Sequence, residues 1–213
     1  RNSLPKGSSV FKRLERGETN YKELGLDKEP YAGMVLKNPI LDVSTKLEIT
    51  DRYITWKEAG EISGLSNAEI EKVKDITATL DNELTELFGR FNLINQDGKI
   101  ELGFDDFRDI ILVDVFGTLD ECRFTYNDIP VSKEIARIYY RNTKWYEDVE
   151  EAKKKDRQNW KKICESQPEP LPPRFAYLIS AVYCLVTNMI TGRKFFNIEE
   201  NFEDVMKEIE QFI

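Results

Sequence analysis

The stretch Asn95-Gln-Asp-Gly-Lys-Ile-Glu-Leu-Gly-Phe-Asp-Asp-Phe-Arg-Asp-Ile-Ile-Leu-Val-Asp114 alternates like a β-hairpin, yet it carries acid after acid. On its first arm Asp97, Lys99, Glu101 and Gly103 share one face, while Gly98, Ile100 and Leu102 take the other. On the return arm Asp114 interrupts the nearly continuous apolar run Ile110–Val115. A symmetric hairpin turning about Asp105–Asp109 places Glu101 opposite Asp114, where two carboxylates repel. A divalent cation between them removes the repulsion, since Mg²⁺ takes one or two protein carboxylates plus waters and phosphates. A solvent-exposed polar face is the other reading of the same residues, and a one-residue slip in register separates the two acids.

Working outward, the first residues combine Arg1 with Lys6-Gly7-Ser8-Ser9, where a guanidinium, hydroxyls and backbone amides can hold an anion. The spacing is not that of a Walker loop. Composition alone leaves the segment 1–17 a polar loop leading into short strands, and Ser44-Thr45-Lys46 with Asp51 a solvated connection. Arg123, after the turn Gly117–Cys122, is a candidate phosphate ligand or an ordinary surface arginine.

Helices are signalled more directly. Thr55-Trp-Lys-Glu58 and Ser66-Asn-Ala-Glu69 are capping boxes. After the second, Ile70, Val73, Ile76, Leu80, Leu84 and Leu87 recur at helical spacing, which predicts an amphipathic helix over 67–88. Pro130 and Ser132 open a charged helical region that includes Lys153–Lys162, read as a solvated face. A Pro-rich connector at 166–175 leads to an apolar helix ending near Ile190, and Phe202, Val205, Met206, Ile209 and Phe212 mark a last amphipathic one. The fold class is α+β, with a central domain at 1–128 and a helical C-terminal region at 129–213 packed on it.

The 213 residues are 40% apolar, enough for a packed core. With 31 basic against 39 acidic residues the formal charge is −8, which argues against general nucleic-acid binding. Histidine is absent, so Ser-His and Cys-His nucleophile pairs and His-ligated zinc are excluded; chemistry falls to carboxylates, Lys, Arg or a hard metal. The three cysteines fit neither a disulfide framework nor a zinc knuckle, which points to a reducing cytoplasm. The apolar run Ala176–Val186 is far short of the ~20 residues that span a bilayer, so no membrane partner is expected.

In order along the chain, Arg1-Asn2, Gly7-Ser8 and Lys12-Arg13-Leu14, then Ser44-Thr45-Lys46 followed by Asp51, then Asp97-x-Lys99-x-Glu101-x-Gly103, Leu112-Val113-Asp114, Thr118-x-Asp120-x-x-Arg123-Phe124 and Thr191-Gly-Arg-Lys-Phe195 resemble the phosphoribosylaminoimidazole-succinocarboxamide synthases, the SAICAR synthetases of purine biosynthesis. The resemblance covers nearly the whole chain. It implies a SAICAR synthetase-like, ATP-grasp-related antiparallel sheet with flanking helices. It also implies a ligase that joins L-aspartate to carboxyaminoimidazole ribotide with ATP, through an acyl phosphate. A homo-oligomer is compatible with that reading.

By position, the resemblance assigns Glu101 and Asp114 to Mg²⁺, and Lys99 to the reacting carboxylate or transferred phosphoryl group. It assigns Arg1, Ser8 or Ser9, and Arg123 to the ribotide phosphate, Asp51 to the imidazole and aspartate pocket, and Lys46, Asp97 and Arg137 to substrate contacts. The chain departs from the pattern in a longer loop after Arg1, and at Val115, Leu119 and Ser132, where Glu, Pro and Asp are usual. Nothing in the 213 residues corresponds to the family's N-terminal lobe, whose loop covers the ATP phosphates. Two further readings stand beside the ligase: a non-catalytic ribotide- or nucleotide-binding module of the same fold, and a related small-molecule phosphotransferase.

Overall fold

The computed structural model describes residues 1–46, 48 and 52–213. Two long helices organise it. The first, α3 (Asn67–Gly89), follows four short strands and two short helices of the N-terminal half: β1 (Ser3–Leu4), α1 (Ser9–Glu15), β2 (Met34–Val35), β3 (Val43–Ser44), β4 (Tyr53–Ile54) and α2 (Trp56–Ser63). Beyond α3 come β5 (Ile94–Gly98), β6 (Leu102–Phe104), β7 (Ile110–Leu112), β8 (Cys122–Tyr126) and β9 (Ile129–Pro130). The chain then turns helical: α4 (Glu134–Arg141), α5 (Lys144–Lys155), α6 (Trp160–Ile163), α7 (Pro173–Thr191) and α8 (Phe202–Ile209).

Local chemistry explains the helix starts. Ser66 accepts from the Glu69 amide while Glu69 reaches back to the Ser66 amide, a complete capping box that satisfies free donors at both positions. Thr55 accepts from the Glu58 amide, but the Glu58 carboxylate turns to Arg52, so the second box is only half closed. The N-terminal segment departs from the loop expected of it: Ser8 caps α1, and Val10 drives that helix into a small core with Leu4, Leu36 and Ile40. Its sign in the sequence is Ser8 followed by Val10, Phe11 and Leu14 at helical spacing, with Gly17 as the stop.

All strand pairs among the described residues are antiparallel, but they form four small sheets rather than one. The quoted stretch is itself divided. Its first arm, β5, pairs with β8, and only β6 and β7 make the hairpin. The hairpin register also differs from the expected one. Leu102 faces Leu112 and Gly103 faces Ile111, so Glu101 falls beside Val113, whose amide donates to the Glu101 carbonyl at 3.0 Å, and not opposite Asp114. The turn sets this offset: Asp105 Oδ1 accepts from the amides of Phe107 and Asp109, and Arg108 takes a left-handed φ of 65°.

The main core joins both halves of the chain. Leu84 and Phe88 from α3, Leu93, Cys122 and Phe124 around β5 and β8, Ile135 from α4, and the inner faces of α7 and α8 close on one another. Phe88 and Phe124 stack with ring centroids 3.9 Å apart. Burial pushes the Cys122 thiol up to about 11, so it is packing and not a nucleophile. Among the described residues α7 is the one helix long and apolar enough to pass for a membrane span, but its Phe175, Leu178, Ala181, Val182 and Val186 are buried in this core.

Candidate active site

A bulge at Gln96 decides where the chemistry sits. Asn95 pairs with Phe124 and Asp97 with Arg123, so β5 spends one more residue than β8 between the two pairs. The bulge brings Asp97 directly across from Arg123. Asp97 is only 6% exposed, and its carboxylate is fully engaged. Oδ1 accepts from Arg123 Nε at 2.6 Å, Oδ2 accepts from Arg1 Nη1 at 2.9 Å, and a second Arg123 nitrogen also bonds Oδ2.

From Arg1 the network spreads to residues of the N-terminal half. Arg1 Nε donates to Asp42 at 2.8 Å, and Arg1 Nη2 donates to Ser9 Oγ at 3.0 Å and to the Tyr53 hydroxyl at 2.7 Å. Ser9 Oγ in turn bonds Tyr53 at 2.9 Å. Arg13 holds the other Asp42 oxygen at 2.9 Å and lies 4.4 Å over the Tyr53 ring. Three guanidiniums thus share two carboxylates, leaving one positive charge in excess in a half-buried setting. Burial works against the Arg123 charge, and Asp97, then Glu134, outweigh it.

Glu134 belongs to a neighbouring pair of arginines. It accepts from Arg137 at 3.3 Å and pairs with Arg141 at 2.5 Å. Gly7 lies against this group, for a Cβ there would stand 3.4 Å from Arg141 Nη2 and 3.7 Å from Glu134 Oε1. The arrangement can receive an anion with several oxygens, such as a phosphate monoester, between a fixed arginine pair and a glycine-containing loop.

The acids gather two residues along β5's exit. Lys99 Nζ lies 2.8 Å from Glu101, 3.4 Å from Glu121 and 4.0 Å from Asp114. Glu101 is also ion-paired with Lys46. The hydrogen bonds from Lys46 and then Lys99 hold the Glu101 carboxyl down at about 2. Glu101 and Asp114 come within reach of one lysine despite the register, because β7 ends at Leu112 and the chain bends at Asp114, whose Oδ1 accepts the Val115 amide at 2.8 Å.

The residues expected from the sequence therefore fall into groups. Arg1 and Arg123 come together on Asp97, with Ser9 bonded to Arg1, and Lys99, Glu101, Asp114 and Lys46 form a second group that begins two residues further along the chain. Arg137 stands in the adjoining Glu134 group. Ser8 is buried and its hydroxyl caps α1. Asp97 is the anchor beneath two arginines, with its oxygens engaged by them. Asp51 lies outside the described residues. Asp42, Arg13, Tyr53 and Glu121 are members that sequence reasoning passed over. Arg13 stood in the Lys12-Arg13-Leu14 match and Glu121 in the turn before Arg123, each within a noted motif but without a role.

No group of three or more His, Cys, Asp or Glu side chains gathers at metal-binding distance among the described residues. Two carboxylates supply hard oxygen donors, however, and Mg²⁺ bound to phosphate needs no more from a protein. Glu101 and Asp114 fit that requirement, with Lys46 and Lys99 on the two oxygens of Glu101 and Lys99 also 4.0 Å from Asp114.

A profile of the SAICAR synthetase family matches residues 9–159. A relative from Archaeoglobus fulgidus, provisionally named phosphoribosylaminoimidazole-succinocarboxamide synthase, is 43% identical over all 213 residues; the chain spans 63% of that relative's length. Among solved structures, a SAICAR synthase from Saccharomyces cerevisiae complexed with SAICAR superposes with a TM-score of 0.65 at 20% identity, over 92% of this chain and 60% of that one. A SAICAR synthetase in complex with ADP superposes with a TM-score of 0.59 at 21% identity, over 92% of this chain and 63% of the other. At these identities the two structures speak to the fold.

Proposed function

The chain belongs to the SAICAR synthetase family, and from that premise we propose that it carries the ribotide- and metal-binding part of an ATP-dependent ligase joining L-aspartate to carboxyaminoimidazole ribotide. The observation that carries the reading is the adjacency of two unlike sites on one strand exit. Asp97 anchors an arginine pair suited to a phosphate monoester, and Lys99, two residues on, meets Glu101 and Asp114.

In this reading Arg1, Ser9 and Arg123 hold the ribotide phosphate, with Arg137 at its margin. Its carboxylate then lies toward Lys99, whose ammonium offsets the carboxylate charge. That carboxylate oxygen attacks the terminal phosphorus of ATP, the bond to the bridging oxygen breaks, and ADP leaves. The unprotonated amine of L-aspartate next attacks the acyl phosphate carbon. The C–O bond to phosphate breaks, inorganic phosphate departs with the former carboxylate oxygen, and the amide nitrogen gives its proton to solvent. The protein's contribution is placement and charge stabilisation, which suits a site without histidine.

Glu101 and Asp114 would hold Mg²⁺, which supplies neutralisation of the phosphate oxygens when bound. Lys46 and Asp51 are assigned to the imidazole and aspartate pocket on their sequence positions. The names of the A. fulgidus relative and of the SAICAR- and ADP-bound structures support this choice of substrates. The test is ADP release by the complete gene product with Mg-ATP, ribotide and L-aspartate. Release that needs both acceptors supports the ligase; release with the ribotide omitted and another acceptor present points to a phosphotransferase, and none points to a binding module.

A further inference from the structure

Glu121 is a third carboxylate at the acid site, and no step of the proposed reaction uses it. Its position is tightly set. The Lys99 amide donates to the Glu121 carbonyl at 3.1 Å, continuing the β5–β8 ladder past the Gly98–Cys122 pair. The Glu121 amide bonds both the carbonyl and the hydroxyl of Thr118, at 3.2 and 3.3 Å. These bonds fix the Glu121 backbone beside Lys99, and Glu121 Oε2 lies 3.4 Å from Lys99 Nζ. The Glu121 side chain is 19% exposed, against 56% for that of Lys99, so the carboxylate is the fixed partner and the ammonium the movable one.

Among the described residues Lys99 is paired with three acids, Glu101, Asp114 and Glu121, and it shares the first of them with Lys46. A cation on Glu101 and Asp114 would repel the Lys99 ammonium that now leans on them, and among the described residues Glu121 is the remaining carboxylate paired with it. We propose that Glu121 is a positioning residue that receives the Lys99 ammonium when a divalent cation binds Glu101 and Asp114, keeping Lys99 beside the cation and pointed at substrate. This inference rests on the assignment of the cation to Glu101 and Asp114.

Mn²⁺ binding to the purified full-length protein, followed by electron paramagnetic resonance without any turnover, tests it. Among the described residues Glu121→Gln leaves Lys99 with only the cation's own ligands as paired acids, so Mn²⁺ affinity falls roughly three- to tenfold, the size of one partly screened charge contact. Glu121→Asp recovers part of the loss. In a Lys99→Met background there is no Lys99 ammonium for Glu121 to receive, and the effect of Glu121→Gln shrinks to about twofold or less. An undiminished loss in that background makes Glu121 a direct ligand and overturns the proposal, as does no loss at all in the native background. Mn²⁺ binding that survives Glu101→Gln with Asp114→Asn, or no binding to the native protein, overturns the cation assignment as well.

Discussion

Arg123 and Asp97 face each other across the β5–β8 ladder and close a two-point contact, with Nε 2.6 Å from Oδ1. Because Arg1 claims the same carboxylate, this one acid holds two guanidiniums that would otherwise repel. Asp97→Asn leaves two largely buried arginines without their shared counter-ion and destabilises the fold by about 3–5 kcal/mol. Urea unfolding of the variant checks the figure; a change under ~1 kcal/mol would mean the pair is freely solvated.

Arg123 does more than supply charge. Lysine cannot reproduce the planar two-point grip on Asp97 while also offering a nitrogen to a phosphate. Arg123→Lys therefore weakens binding of ribose 5-phosphate by roughly 10–100-fold, the value of one or two charge-assisted hydrogen bonds, although net charge is unchanged. Calorimetric titration measures this directly.

Glu69 closes the α3 capping box and also receives Arg108 from the β6–β7 turn at 2.7 Å. The Arg108 contact, then the Ser66 bonds, hold its carboxyl at about 2, below the ordinary 4.5. A lowered folded-state value means the unfolded chain binds the extra proton first as pH falls. The stabilisation is therefore complete above pH 4.5 and is lost between about 4.5 and 2. Glu69→Gln removes this part of the acid dependence, so urea midpoints of variant and native protein converge as pH falls through that window. Parallel curves would contradict the assignment.

Gly117 combines a φ of +70° with close approach, since an added Cβ would lie 2.7 Å from Leu84 Cδ2. Gly117→Ala strains the backbone and overpacks the core at once, at a combined cost of about 1–3 kcal/mol. The turn that sets Glu121 and Arg123 starts at the next residue. Thermal unfolding should therefore report the loss in stability, and ribose 5-phosphate affinity should fall with it.

How much of this was legible in the sequence depends on the range of the interactions concerned. The helix α3 could be read from Ser66, Glu69 and the apolar spacing because its start and its buried face are both local. The gathering of Lys99, Glu101 and Asp114 was also foreseen, but for a register that the structure does not adopt. Bond by bond, that register follows from the Asp105 turn and the end of β7, which alternation alone does not specify. The Arg1–Asp42–Arg13–Tyr53 group joins residues up to 52 positions apart, and no spacing rule brings them together. Gln96 likewise carries no mark of a bulge, although the bulge is what places Asp97 against Arg123.

In the proposed reaction a carboxylate held beside Lys99 is activated by phosphoryl transfer before the amine of L-aspartate attacks it. Ribotide labelled with ¹⁸O in its carboxylate, turned over by the complete gene product with Mg-ATP and L-aspartate, tests this most directly. Mass analysis of the released inorganic phosphate should find one labelled oxygen per molecule, with the rate strongly reduced in Glu101→Gln and Asp114→Asn. Unlabelled phosphate accompanying amide formation, or full activity in both variants, would contradict it.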